Sequence, residues 1–90
     1  PLAQIVETET SVQVSIFPNP ANNSLNVTHG NLTNGVATIY DLNGRLIETF
    51  VLENSPPSNS LNISRIKNGH YILIVQSDQV EVFKGRFVKL

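Results

Sequence analysis

The chain has 90 residues, 40% of them apolar and 14% charged, with a formal net charge of −1, and it contains no cysteine, methionine or tryptophan. That length makes one domain, which buries roughly 60–65% of its unfolded surface. The composition excludes disulfides and thiolate metal sites, offers no dense basic stripe for nucleic acid, and has no apolar run near the roughly 20 residues of a membrane-spanning helix.

Pro1–Thr10 (PLAQIVETET) is polar and aperiodic and reads as a linker or frayed terminus, with residues 11–90 forming the domain. A chain that opens on Pro1 and lacks methionine is expected to be a piece of a longer protein, and no signal peptide is visible. Ser11–Phe17 alternates Val12, Val14 and Ile16, which predicts a strand. Pro18-Asn19-Pro20 stops it, because neither proline can donate to a ladder. Ser24–Thr28 alternates again, with Leu25 and Val27 inward, and His29–Asn34 is a loop rich in Gly and Asn.

Gly35–Leu52 (GVATIYDLNGRLIETFVL) is the strongest local signal, two β-branched runs around DLNG. A two-residue Asn43-Gly44 turn would pair Ile39 with Glu48 and Asp41 with Leu46. A three-residue Leu42-Asn43-Gly44 loop, with Gly44 left-handed, pairs Tyr40 with Leu46, Ile39 with Ile47 and Val36 with Phe50, and sets Asp41 opposite Arg45. It matches apolar with apolar residues, so we prefer it.

Glu53–Asn59 is an exposed loop with paired prolines, and Ser60–Ser64 is a short strand. Ile66 sits in a single turn closed by Asn68-Gly69, where Gly69 takes positive φ. His70–Gln76 (HYILIVQ) is almost continuously apolar, so it is expected at a sheet centre, covered on both sides. Ser77–Gln79 turns the chain into Val80–Lys89, where Gly85 is expected to mark a bulge.

Seven short strands without a long helix predict an all-β fold: a seven-stranded antiparallel immunoglobulin-like β-sandwich, with a small barrel as the alternative. The expected core is Ile16, Leu25, Val27, Ile39, Ile47, Ile63, Ile66, Tyr71, Leu73 and Val82. On the last strand, Phe83, Gly85 and Phe87 share one face, and we expect Lys84, Arg86 and Lys89 to remain exposed.

Candidates for chemistry are few. His29 and His70 are the available bases, and both are expected at the surface without a nucleophile-elbow serine nearby. Asp41-Leu42-Asn43-Gly44 has the outline of a calcium loop but lacks its later ligands. The acids are scattered, so no paired-carboxylate site is expected. The chain is therefore expected to be no enzyme and to bind no cofactor or metal. Tyr40 and Tyr71 lie within strands and are expected to pack in the core rather than form a sugar platform. The four sequons at Asn22, Asn26, Asn31 and Asn62 read as polar turns. Charge is uneven: residues 1–60 carry five carboxylates against Arg45, and residues 61–90 carry five cations against Asp78 and Glu81. That asymmetry fits a solvated face or a docking face for an anionic partner.

Four segments in order, IFPNPANNSLNV (Ile16–Val27), ATIYDLNGRLI (Ala37–Ile47), LNISRIKNGHYILIV (Leu61–Val75) and VFKGRFVKL (Val82–Leu90), resemble the type A C-terminal sorting domain of the type IX (Por) secretion system of Bacteroidetes. The resemblance covers about Ser15 to Leu90 and rests on Pro18, Asn19, Pro20, Asp41, Gly44, Gly69 and Tyr71, with Lys84, Gly85, Arg86, Phe87, Val88 and Lys89 as the terminal signal. His70 stands where an apolar residue is usual, and Leu90 follows the terminal lysine. The chain is expected to be monomeric, and the resemblance implies an immunoglobulin-like secretion signal behind an upstream cargo, with residues 1–10 as the linker to it. It would be read by the outer-membrane translocon and then removed by a sortase-like peptidase, with cargo exported through the periplasm to the cell surface or the medium. The last strand would dock by strand addition or through its cations. The alternative is an accessory carbohydrate-binding or spacer module of a secreted enzyme.

Overall fold

The computed structural model describes residues 13–54 and 57–90. The expected linker 1–10 and Val12 lie outside these residues. Seven strands form in chain order: β1 (Ser15–Phe17), β2 (Ser24–Thr28), β3 (Val36–Asp41), β4 (Leu46–Val51), β5 (Ser58–Asn62), β6 (Gly69–Ser77) and β7 (Val80–Lys89). They pair antiparallel in two sheets, one ordered β1-β2-β5 and the other β4-β3-β6-β7. No helix of the described residues is long and apolar enough to cross a membrane.

Alternation builds the core. Leu25 and Val27 of β2 and Leu61 of β5 meet Ala37 and Ile39 of β3, Leu73 and Val75 of β6 and Phe87 of β7 in one buried cluster. Of the expected core, Leu25, Val27, Ile39, Ile63, Tyr71 and Leu73 are buried, while Ile16, Ile47, Ile66 and Val82 are only partly buried and pack around it. β1 is shorter than expected: among the described residues it begins at Ser15. β5 ends at Asn62, two residues early, because the Asn62 carboxamide accepts the Ser64 N–H at 3.0 Å and its hydroxyl at 2.7 Å, turning the chain out of the ladder.

The central hairpin combines the two registers. Near the turn the three-residue loop holds: Asp41 N–H donates to the Arg45 carbonyl at 3.0 Å, Tyr40 pairs with Leu46, and Gly44 sits at φ +85°. Ile47 is then an extra residue on β4, so that Ile39 faces Glu48, Ala37 faces Phe50 and Val36 faces Val51. That bulge replaces the expected Ile39–Ile47 and Val36–Phe50 pairs with the register of the two-residue turn.

β7 also carries a bulge, but not at Gly85. Val75 pairs with Phe83 and Gln76 with Glu81, leaving Val82 as the extra residue. Gly85 serves packing instead: a Cβ there would lie 2.6 Å from Phe83 Cζ and 2.8 Å from its Cε2. The missing side chain is the space the Phe83 ring occupies. Asp78 and Gln79 both take positive φ between the paired Ser77 and Val80, a two-residue turn that matches the strand twist.

β6 lies between β3 and β7 as expected, but only one of its faces is covered. Tyr71, Leu73 and Val75 are buried, whereas Ile72 and Ile74 look outward and are half-buried, with no layer over them among the described residues.

Candidate functional site

The segments singled out in the sequence converge at one end of the two-sheet body. Asp41 at the end of β3 is level with Tyr71 of β6, and Tyr71 is level with Phe87 of β7, so three motif residues form one row across the sheet. The Tyr71 and Phe87 rings stack with centroids 5.7 Å apart, and the Tyr71 hydroxyl donates to the Lys67 carbonyl at 2.6 Å. The phenol thus ties the 64–68 turn to the core while its ring fixes Phe87. Gly69, at φ +155°, starts β6 directly opposite Lys89.

Asp41 organises the hairpin end of this row. One carboxylate oxygen accepts the N–H groups of Asn43 and Arg45, each at 2.9 Å, and the other meets the Arg45 guanidinium at 3.1 Å. The Arg45 backbone N–H above all holds the Asp41 pKa below its ordinary value of 3.8; the Asn43 N–H and the Arg45 charge add to this, and desolvation opposes it. Beside Asp41 a hollow of about 330 Å³ is rimmed by Arg45, Glu48, Arg65 and Lys67, with Arg65 and Glu48 paired at 3.8 Å.

The Pro18–Pro20 segment closes the other side. Both prolines follow cis peptide bonds. Asn19 Oδ1 accepts the Val88 N–H at 2.9 Å, and its amide nitrogen reaches the Arg86 carbonyl at 3.5 Å. Ala21 then runs parallel to Lys89, donating to the Val88 carbonyl at 2.7 Å and accepting from the Leu90 N–H at 2.8 Å. Two sequence motifs at opposite ends of the chain are therefore one structural unit. The outer edge of β7 from Arg86 to Leu90, expected to be free for strand addition, is already taken by Asn19 and Ala21.

Faces of the terminal signal divide as expected with one exception. Phe87 is 1% exposed, Phe83 is partly buried, and Lys84 and Arg86 are exposed. Lys89 is not exposed as expected: it is buried, and its ammonium donates to the Leu90 backbone oxygen at 3.0 Å. Period two explains this, because Lys89 has the same parity as Phe87 and points to the same side. Its stem packs inward and its head reaches the rim.

Two more expectations change. His29 is buried rather than on the surface; its Nδ1 lies 2.7 Å from the Gly30 carbonyl oxygen and its Nε2 lies 2.7 Å from the Asn59 amide nitrogen. The Asn59 amide donates, so Nε2 accepts and Nδ1 carries the proton. Asn59 also accepts from the Glu53 N–H and donates to its carbonyl, so His29 and Asn59 together brace the loop after β2 and the loop after β4 against β5. His70 is exposed on β6. Tyr40, expected in the core, is half-buried on the outer face of the four-stranded sheet, level with Ile72. Among the described residues no group of three or more His, Cys, Asp or Glu side chains is placed to hold a metal ion.

Compared with known proteins, residues 15–89 match the model of one family, described as the secretion system C-terminal sorting domain. No curated protein and no solved structure matches the chain.

Proposed function

The chain belongs to the family of secretion system C-terminal sorting domains, and on that basis we propose that it directs an upstream cargo across the outer membrane through the type IX machinery. The observation that carries the reading is the family match over residues 15–89, which takes in every segment that meets at the motif-bearing end. A sorting signal needs a compact fold with an addressable surface and no reaction chemistry. The linked motifs support that need: Asn19, Tyr71 and Phe87 all serve to hold β7 in place.

In this reading the exposed part of the terminal signal, Lys84 and Arg86, meets the translocon, and Phe83, Gly85 and Phe87 anchor it. A sortase-like peptidase then removes the domain, and the cargo stays at the cell surface or enters the medium. The domain has no catalytic activity of its own; both His29 ring nitrogens are engaged in loop bracing, which supports this. We also assign the two sheets an immunoglobulin-like topology. Strand orders β1-β2-β5 and β4-β3-β6-β7 correspond to A-B-E and C′-C-F-G, which supports the assignment.

The second reading, an accessory carbohydrate-binding module, has Tyr40 on an open face in its favour. Tyr40 stands among aliphatic neighbours there, without a second aromatic ring to extend a platform. The test is sufficiency: a periplasmic reporter carrying this chain at its C-terminus should move to the medium of a Bacteroidetes host. A reporter that stays in the periplasm with and without the chain contradicts the sorting reading.

A further inference from the structure

The outer face of the four-stranded sheet has an unusual composition for a surface. Pairing across the sheet places Leu46, Tyr40, Ile72 and Arg86 in one row, and Thr49, Thr38, Ile74 and Lys84 in the next. Antiparallel sheets with one solvated face normally turn polar residues outward. Here the centre of that face is Tyr40, Ile72 and Ile74, all half-buried, while Leu46 and the adjoining Leu42 are 58% and 54% exposed. A shallow hollow of about 290 Å³ opens there, between Tyr40, Leu42, Ile72, Ile74 and Lys84.

Charge is laid along one border of this apolar strip. Lys84 and Arg86 are exposed on β7, and the ion pairs formed among the described residues, Arg45–Asp41 and Arg65–Glu48, leave both of them free. Asp41 at the rim of the hollow is committed to Arg45, and Glu81 stands one row beyond Lys84, level with Gln76. The two free cations therefore face the Tyr40–Ile74 strip, with Glu81 at the far end of that border. A second observation bears on how a partner could approach: the β7 edge from Arg86 to Leu90 is occupied by Asn19 and Ala21, so the face rather than that edge is open.

We propose that this face is the docking surface for a protein partner that presents apolar side chains beside carboxylates, and that the partner is a component of the export machinery. The inference rests on the sorting-signal reading and goes beyond it by assigning Tyr40, Ile72 and Ile74, with Lys84 and Arg86, as the contact residues. Apolar patches of this kind mark interaction sites, and their centres carry most of the binding energy. Carboxylates on the partner would pair with Lys84 and Arg86, which speeds encounter and sets orientation.

The test uses the whole chain, purified and also fused behind a reporter, and two variants. One variant is Ile72→Ser with Ile74→Ser; the other is Lys84→Glu with Arg86→Glu, at exposed positions where folding is undisturbed. Outer-membrane fragments from a translocon-bearing host and from a strain lacking the translocon are the binding probes. The wild-type chain should bind the first and not the second, and each variant should weaken binding and reporter export about ten-fold or more with an unchanged thermal transition for the charge variant. Wild-type export with undiminished export of both variants overturns the face assignment alone. Absence of wild-type export and binding overturns the sorting reading beneath it. Equal binding to both kinds of fragment shows that the occupant is not the translocon, and a concentration-dependent dimer that the variants abolish identifies a second copy of the chain; either overturns the proposal.

Discussion

Asn19 and Val88 lie 69 positions apart in the chain and are joined by a hydrogen bond of 2.9 Å from the Val88 N–H to the Asn19 carboxamide. The bond belongs to a short parallel seam in which Ala21 engages Val88 and Leu90. An edge strand ends in unpaired donors and acceptors, and this seam satisfies those of β7 where the terminal signal lies.

Asn19→Ala removes one member of that seam and leaves the two Ala21 backbone bonds. The expected cost is about 1 kcal/mol in a urea titration, the net worth of a hydrogen bond. Amide exchange at Val88 should quicken while that of Leu73 at the sheet centre stays slow. Unchanged exchange at Val88 would show that the Asn19 contact does not hold the strand.

Gly44→Val should cost roughly 1–2 kcal/mol or more, through backbone strain alone. The residue sits at φ +85°, and an added Cβ meets nothing within 4 Å. Gly30→Ala is the control, also with nothing within 4 Å, and should lie within about 0.5 kcal/mol of wild type. Equal effects at the two sites would contradict the left-handed turn.

Gly85→Ala should destabilise by about 1–3 kcal/mol, because its Cβ would overlap the Phe83 ring. Phe83→Leu in the same chain should recover part of the loss, which a double-mutant cycle measures. Independent, additive costs would mean that Gly85 serves the backbone and not the ring.

Phe87→Ala should cost about 3–5 kcal/mol as a buried ring is deleted from the core. Lys84→Ala with Arg86→Ala should leave the melting temperature nearly unchanged, since exposed charges contribute little. Lys89→Ala should lower it, through a loss of about 1 kcal/mol of stability from stem packing and a hydrogen bond. A neutral Lys89→Ala would place that side chain back in solvent.

Asp41 predicts an acid limb. Its folded-state pKa lies below the ordinary value of 3.8, chiefly because the Arg45 N–H donates to the carboxylate. Its contribution is present in full above that ordinary value and is lost as pH falls through the lowered folded pKa. Asp41→Asn should remove this part of the stability–pH curve, so wild type and variant converge in strong acid. Parallel curves over that range would contradict the assignment.

Much of this was readable before the structure. Turn residues on both sides delimit β2, and the turn before Val80 starts β7, at the residues observed, and Asp41 with Gly44 announces the three-residue loop. The bulges at Ile47 and Val82 were not readable, because each extra residue is itself apolar and leaves the hydrophobic pattern intact. Lys89 was readable in principle: its parity with Phe87 places it inward, against the habit of leaving lysine in water. The outward Ile72 and Ile74 depart from the expected covered position, since a continuous apolar run signals two apolar faces without saying that both are covered. His29 and Asn19 owe their roles to Asn59 and Val88, partners far along the chain that no local pattern reveals.

Deleting residues 81–90 is a poor probe of recognition, because it also strips Phe87 from the core. The most direct measurement is the distribution of a reporter fused to the intact chain, compared between a type IX-competent strain and an isogenic strain lacking the outer-membrane translocon. The sorting account predicts reporter in the medium or on the surface of the first strain and confined to the periplasm of the second. Equal distribution in the two strains would contradict it.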